Sequence, residues 1–217
     1  MRNRSIFGVA FAVLFIYSAT VCAEETKSVK LLPPQMEGGK PLMQALKERK
    51  SLRAFSSKEL PPQVLSDLLW AAGGVNRPDS GGMTAPTAKN MQEIDIYVVK
   101  AEGVYLYDAK ANSLLTVLAG DMRAFAGKQD FVKDAPINLV YVSDLSKMSG
   151  MSAGDAAFYA ATDTGFVSEN VYLYCSSAGL ATVVRGWVDK DELAKVMKLR
   201  PDQKVVLAQT VGYPKEN

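Results

Sequence analysis

The sequence predicts an α+β fold in which an antiparallel-dominated sheet is flanked by helices, one of them long. Two β-rich runs, at 94–99 and 104–107, are joined across Glu102-Gly103 as in a hairpin. Residues 137–142 form a continuous apolar run, typical of a buried strand. Between 153 and 177, small and apolar residues recur at alternating steps of three and four, which predicts a long helix.

The long helix should present one face to a core or to a partner helix. Gly179 follows it in the position that commonly ends a helix. Cys175 lies near its end and is predicted to be a buried small apolar residue rather than a nucleophile. The face consists of Ala157, Ala160, Thr164, Val167, Val171, Tyr174 and Ala178.

Shorter elements complete the prediction. A first helix begins at Pro41 and runs to Arg49, with Leu42 and Leu46 on one face. A second helix follows Pro61-Pro62 and stops at Gly73-Gly74. Residues 75–92 are predicted to be a long loop, which inside a compact domain is usually functional or disordered. A capping box at Asp189 and Glu192 starts the final helix, and a last strand covers 204–211.

The N-terminal residues 1–23 are typical of a cleaved signal peptide. Arg2 and Arg4 precede an apolar run at 6–20, and Val21-Cys22-Ala23 follows it. The run is shorter than the roughly 20 residues that a transmembrane helix needs, so a retained anchor is disfavoured. Acylation of the cysteine is a second alternative, disfavoured by the bulky valine before it. We therefore expect a periplasmic or secreted protein.

Three segments organise the chain, and its composition excludes several functions. The signal peptide (1–23) precedes an N-terminal arm (24–40) and a folded domain (41–217). Removing the signal peptide leaves 23 of the 25 basic residues against 23 acidic ones, so no nucleic-acid partner is expected. The chain has no histidine, which excludes a Ser-His-Asp relay and imidazole ligands for zinc. No acidic cluster has the loop spacing of a calcium or magnesium site.

The first candidate site is the segment from Arg49 to Arg53 at the end of the first helix. In an extended chain, Arg49, Ser51 and Arg53 point the same way, because side chains alternate with period two. Two guanidinium groups and a hydroxyl would form an anion site, since the planar guanidinium matches phosphate oxygens. The alternative is a solvated basic turn, which this segment taken alone favours.

Two further segments carry candidate binding residues. Pro86, Thr87 and Asn90 end the long loop, and amide side chains there suit the edge of a flat heterocycle. Such residues are also ordinary in loops. Arg185-Gly186 follow a predicted buried strand, where the glycine would let the backbone approach a ring. A plain strand-to-helix turn is the alternative.

In this order, the segments resemble the nitroreductase-like flavoproteins over about 41–214. Residues 103–108, Gly-Val-Tyr-Leu-Tyr-Asp, are similar to the thiazole- and oxazole-forming (SagB-type) dehydrogenase branch. The other matching pieces are Arg-Lys-Ser-Leu-Arg-Ala-Phe (49–55), Leu-Leu-Trp-Ala-Ala-Gly (68–73), Pro-Thr-Ala-Lys-Asn-Met-Gln (86–92), Ser-Ala-Gly-Leu (177–180) and Val-Gly-Tyr-Pro (211–214).

The resemblance implies a nitroreductase-like fold and an FMN-dependent oxidoreductase that transfers two electrons to or from a nitro, quinone or azoline-like compound. It also implies a homodimer with FMN between the subunits. NAD(P)H is the usual reductant, but it is scarce outside the cytoplasm, so a membrane carrier or a reduced protein is a second donor to consider. The alternative function is an exported flavin- or small-ligand-binding protein without turnover.

The resemblance also assigns roles to the candidate residues. Arg49 and Ser51 would bind the FMN phosphate end, and Asn90 the pyrimidine edge, with Pro86 and Thr87 in the same binding segment. Arg53 would lie beside the flavin N1, where a cation stabilises the reduced ring, and is the catalytic candidate. Arg185-Gly186 would approach the reactive side. Relatives have further basic residues beyond the final turn; here Lys215 alone follows it, so the phosphate site is either weaker or supplemented by Lys50.

Overall fold

The computed structural model describes residues 27–216. The predicted signal peptide lies outside the described residues. The strands are β1 (Ser28–Lys30), β2 (Val75–Arg77), β3 (Gly82–Met83), β4 (Ile94–Lys100), β5 (Gly103–Asp108), β6 (Ser113–Ala119), β7 (Ile137–Asp144), β8 (Ala181–Arg185) and β9 (Gln203–Gly212). The helices are α1 (Leu42–Glu48), α2 (Pro62–Gly73), α3 (Phe131–Asp134), α4 (Ala153–Ala178) and α5 (Lys190–Val196).

The main sheet has seven strands in the order β1-β6-β5-β4-β7-β9-β8. Every neighbouring pair in it is antiparallel. The predicted α+β class is therefore confirmed, as is the hairpin across residues 102–103, which joins β4 to β5.

Two apolar layers cover the centre of the sheet. Leu139 and Tyr141 of β7 pack with α2 and α4 on one face, whereas Val140 and Val142 pack with Leu193 of α5 on the other. All eight residues of β7 are buried. This two-sided burial explains why the strand is a continuous apolar run instead of an alternating one.

The long helix α4 spans 26 residues and confirms the predicted element. Ser152 caps its first turn by accepting a hydrogen bond from the Asp155 amide, and Gly179 ends it with a φ of 71°. The predicted face is buried in the middle of the helix, but Ala157 and Ala178 near its ends are exposed. Among residues 27–216, neither α4 nor any other helix has the length and apolar character needed to cross a membrane.

Three parts of the chain differ from the prediction. The arm forms β1 at the sheet edge, where three exposed residues pair through their backbone with β6. The loop at 75–92 contains the β2–β3 hairpin and a 3₁₀ turn at Ala88–Asn90. In α1, Leu42 and Leu46 are exposed, and Ala45 is the residue that packs inward.

Candidate active site

The segment after α1 leaves the helix in an extended direction and lies beside β8 at the edge of the sheet. Arg49 leaves the helix with a φ of −54° and a ψ of 123°. The Leu52 amide donates to the Thr182 carbonyl of β8 over 3.0 Å, and the Ser56 amide donates to the Tyr213 carbonyl over 2.9 Å. These backbone bonds fix the segment without using its charged side chains.

Tyr172 of α4 connects this segment to the sheet. Its hydroxyl accepts a hydrogen bond from the Val184 amide over 3.0 Å and lies 2.8 Å from the Ser51 Oγ. When Tyr172 donates to Ser51, the serine hydroxyl proton is free to bind an anion. The Arg49 guanidinium carbon lies 5.1 Å from the centre of the Tyr172 ring, within cation–π distance. Tyr172 therefore orients both predicted anion-binding side chains.

The surroundings of this cluster are basic. Within residues 27–216, Arg49, Lys50 and Arg53 form no ion pair. A cleft of about 510 Å³ beside them is lined by Lys50 and Tyr172 and by further lysines at 40 and 47. The one carboxylate on that cleft, Glu48, accepts a 2.6 Å hydrogen bond from Lys40, and this bond lowers the pKa of Glu48. The positive charge next to Arg49 is thus left for a ligand.

The second predicted group lies in a tightly held turn. Lys89, Asn90 and Gln92 have φ values of 51°, 55° and 51°, in the left-handed region that costs about 1–2 kcal/mol per residue. The Ala88 amide donates to the Asp163 Oδ2 of α4 over 2.7 Å, and the Gln92 amide donates to the Thr87 Oγ1 over 2.9 Å. Strained backbone of this kind concentrates at functional sites. Pro86 and Asn90 are exposed beside these bonds.

The two predicted groups contact α4 at different places. Asp163, which anchors the turn, and Tyr172, which anchors the segment with Arg49, are nine residues apart. That spacing corresponds to roughly 14 Å along the helix axis. Within one copy of the chain they are thus two separate groups along the same helix.

Arg185 has its side chain in the interior. Its Nε donates to Thr210 Oγ1 over 3.1 Å and its Nη2 to Asn138 Oδ1 over 3.0 Å, while Nη1 donates to the Ala126 carbonyl over 2.9 Å. Burial lowers the pKa of Arg185 to about 10, so it stays charged at neutral pH. The guanidinium does not join the basic cluster. Gly186, directly after β8, is exposed and has room for a Cβ, so this part of the backbone is open to a ligand.

Sequence reasoning missed Tyr172 and Asp163. Helical periodicity predicts which positions of α4 are buried, but it does not show which buried polar group has a partner outside the helix. The available signal was an aspartate beside Thr164 in a face that is otherwise small and apolar.

Fold and cluster together define a class of protein: a helix-flanked antiparallel sheet with a cluster of basic side chains after its first helix. Residues 46–213 match the family model described as the nitroreductase family. The chain belongs to this family. Its members generally bind FMN with NAD(P)H as reductant, and they are commonly homodimers that act on small substrates.

Individual relatives agree with this assignment. A nitroreductase relative from Methanocaldococcus jannaschii is 33% identical over 170 residues, which cover 73% of this chain and 85% of the relative. A nitroreductase structure from Ralstonia eutropha JMP134 is 42% identical with a TM-score of 0.84, covering 88% of this chain and 90% of that one. The NADPH:FMN oxidoreductase of Vibrio harveyi, in complex with NAD⁺, shares the fold at 19% identity and a TM-score of 0.61, over 81% and 70% of the two chains.

Proposed function

We propose that this protein is an FMN-dependent oxidoreductase that transfers two electrons to or from a nitro, quinone or azoline-like compound. The observation that carries the proposal is the arrangement of Arg49, Ser51 and Tyr172 in a chain of the nitroreductase family. A half-buried guanidinium with no carboxylate partner in the described residues, next to a hydroxyl, is a donor set that suits a phosphate. A solvated basic turn would not need the aromatic support beneath Arg49.

In this proposal each candidate side chain has a different role. Arg49 and Ser51 bind the phosphate, supplemented by Lys50, and FMN when bound supplies the two-electron chemistry. Arg53, exposed two residues beyond Ser51, places a positive charge beside the ring and stabilises negative charge there. The turn with Pro86, Thr87 and Asn90 and the backbone at 185–186 line the ring. Similarity to the thiazole- and oxazole-forming branch stays a prediction.

We further propose that the protein is a homodimer. Leu42, Met43 and Leu46 of α1 and Phe158 and Phe166 of α4 are between 44% and 76% exposed, which is unusual for so many large apolar side chains on two contacting helices. We propose that a second copy of the chain packs on these side chains. Light scattering at micromolar concentration should give the mass of two chains. A monomeric, flavin-bound protein would contradict this arrangement.

We also propose that the protein is exported and that residues 1–23 are removed. The electron donor outside the cytoplasm is then NAD(P)H, a membrane carrier or a reduced protein. The intact mass of protein secreted from its host should correspond to a chain that begins at Glu24. A mass that retains the first 23 residues, or that includes acyl chains on Cys22, would exclude this processing.

An absorbance spectrum tests the central proposal. Protein mixed with FMN and freed of unbound ligand should be yellow, and it should bleach with NAD(P)H or dithionite. The colour should return on addition of a nitro compound or a quinone. Protein that retains no FMN would exclude the proposed function. Protein that retains FMN but is never reoxidised would indicate a flavin-binding protein without turnover.

A further inference from the structure

Glu93, the residue before β4, is completely buried. Neither of its carboxyl oxygens has a hydrogen-bond donor among the described residues. The group beside it is the carboxyl of Asp163 on α4, which is 2% exposed. Two acidic side chains from different elements are thus held together away from water.

Nearby positive charge does not neutralise this pair. The cation that acts on Glu93 is Lys147, whose side chain is 38% exposed and whose Nζ donates to Asp95 Oδ1 over 2.8 Å and to the Gln92 carbonyl over 3.1 Å. On β7, which pairs with β4, Asp144 bonds to Arg200 and Ser146. The charged groups that bear on Glu93 are therefore Asp163 and Lys147, and the lysine is already shared.

A single proton on the pair removes the repulsion between the two carboxylates. Two carboxylates can only accept hydrogen bonds, whereas one carboxyl and one carboxylate can bond to each other. Burial raises the pKa of Glu93 to about 7, and the neighbouring carboxyl of Asp163 acts in the same direction, whereas the Glu93 backbone amide and Lys147 act against it.

The pair also touches the strained turn from both sides. Asp163 accepts the Ala88 amide through Oδ2, at the start of the turn. Gln92, the last residue with left-handed φ, is covalently joined to Glu93. A change in the distance between the two carboxyl groups therefore moves the ends of the turn relative to each other.

We propose that Glu93 holds a proton and donates it in a hydrogen bond to Asp163, and that this carboxyl pair is a positioning device that keeps the left-handed residues of the 88–92 turn in place. With the proton present, the two groups bond and Asp163 keeps the Ala88 amide. Without it, two negative charges in contact repel each other, and the turn relaxes. The relaxed turn then binds the flavin ring less tightly, a consequence that rests on the function proposed above.

The first test does not involve flavin. In protein labelled with ¹³C in Glu and Asp carboxyls and with ¹⁵N in its amides, the Glu93 carboxyl signal should titrate near pH 7. The Ala88 amide should shift over the same pH range. In Glu93→Gln, which is always neutral, the Ala88 shift should be absent. The matched control is Glu102→Gln at the other, exposed end of the β4–β5 hairpin, and it should leave both titrations unchanged.

Two results would overturn the proposal: a Glu93 midpoint near its ordinary value of 4.5, or an Ala88 titration that persists in Glu93→Gln. Should that variant fail to fold, the carboxyl and amide titrations of the parent protein decide alone, because the proposal requires a shared midpoint.

The second test uses FMN. Its affinity for the parent protein should fall roughly threefold to tenfold between about pH 6 and 8, a modest coupling between two sites. The FMN affinity of Glu93→Gln should not show this fall with pH. A flat FMN affinity beside intact carboxyl and amide titrations would overturn the link from the pair to the cofactor. Failure to bind FMN at any pH would instead overturn the proposed function.

Discussion

Arg185 is the last residue of β8 and Arg49 belongs to the segment that is hydrogen-bonded to that strand, yet their guanidinium groups are satisfied in opposite ways. Arg185 is 5% exposed and donates to three oxygen acceptors in the interior. Arg49 is half-buried over an aromatic ring and has no carboxylate partner in the described chain. The comparison teaches that hydrogen-bond saturation, more than burial, separates a structural arginine from one available to a ligand. The predictions below test this distinction.

The largest effect is expected at Arg185. Arg185→Ala leaves the Ala126 carbonyl and the Thr210 hydroxyl oxygen without this donor, and Asn138 Oδ1 keeps only its bond from the Thr210 hydroxyl, so the free energy of unfolding should fall by roughly 3–5 kcal/mol. Urea denaturation followed by tryptophan fluorescence measures it. The control is Arg200→Ala: its side chain is 54% exposed, and its buried partner Asp144 keeps two hydrogen bonds from Ser146, so the loss should be clearly smaller than for Arg185→Ala. Equal losses in both variants would refute the structural role of Arg185.

Glu93 extends the comparison to a buried acid that lacks a compensating donor. Its folded pKa of about 7 lies above its ordinary 4.5, so the folded state binds the proton more tightly than the unfolded state. Its contribution to stability is therefore complete below about pH 4.5 and is lost as the pH rises through about 7, a difference of roughly 3 kcal/mol. Urea denaturation at several pH values should show this fall in the parent protein. The free energy of unfolding of Glu93→Gln should not show this fall. If both proteins lose stability in parallel as the pH rises, Glu93 is not the group responsible.

Replacement of Arg49 should affect FMN binding more than stability, the opposite of what is expected for Arg185. Arg49→Ala removes one charge-assisted hydrogen bond to phosphate, which corresponds to about 1.5–3 kcal/mol, or roughly ten- to a hundredfold in FMN affinity. Its urea midpoint should stay close to that of the parent. Fluorescence titration with FMN gives the affinity, and Arg200→Ala serves again as the control. Arg49→Ala protein that is destabilised but binds FMN normally would reverse the comparison.

The smallest effect is expected at Arg53, which is exposed to solvent. Arg53→Ala should retain more FMN than Arg49→Ala, but its two-electron potential should fall because a positive charge beside the reduced ring is lost. A shift of about 15–30 mV corresponds to roughly 0.7–1.4 kcal/mol. Dye-coupled titration measures it against Lys195→Ala, which removes an exposed charge from the last turn of α5. Unchanged potentials in both variants would remove Arg53 from its proposed role.

Much of the fold could be predicted because burial leaves a pattern in the sequence. The run at 137–142 and the α4 face are apolar where they meet the two core layers. β1 leaves no such pattern, since its three residues are exposed and only its backbone pairs. β6 also escaped prediction: the turn before it places Asn112, not a glycine, at a φ of 45°, so the usual hairpin signal is absent.

The candidate site was predictable to a smaller extent. Period-two alternation predicts that Arg49, Ser51 and Arg53 point the same way, and two of them, Arg49 and Ser51, contact Tyr172. The direction of Arg185 could not be predicted, because its acceptors come from positions 126, 138 and 210, which only tertiary structure brings together. Glu93 and Asp163 are likewise 70 positions apart, and no local pattern connects them.

Cys175 offers a way to observe motion of the long helix. Its thiol is completely buried, and burial raises the pKa of that thiol, so alkylating reagents cannot react while α4 stays in place. Labelling at this position therefore requires local opening, and its rate reports the free energy of that opening. Because α4 also contains Tyr172 and Asp163, labelling rates measured with and without FMN would show how strongly a ligand at one end of the helix suppresses its separation from the sheet.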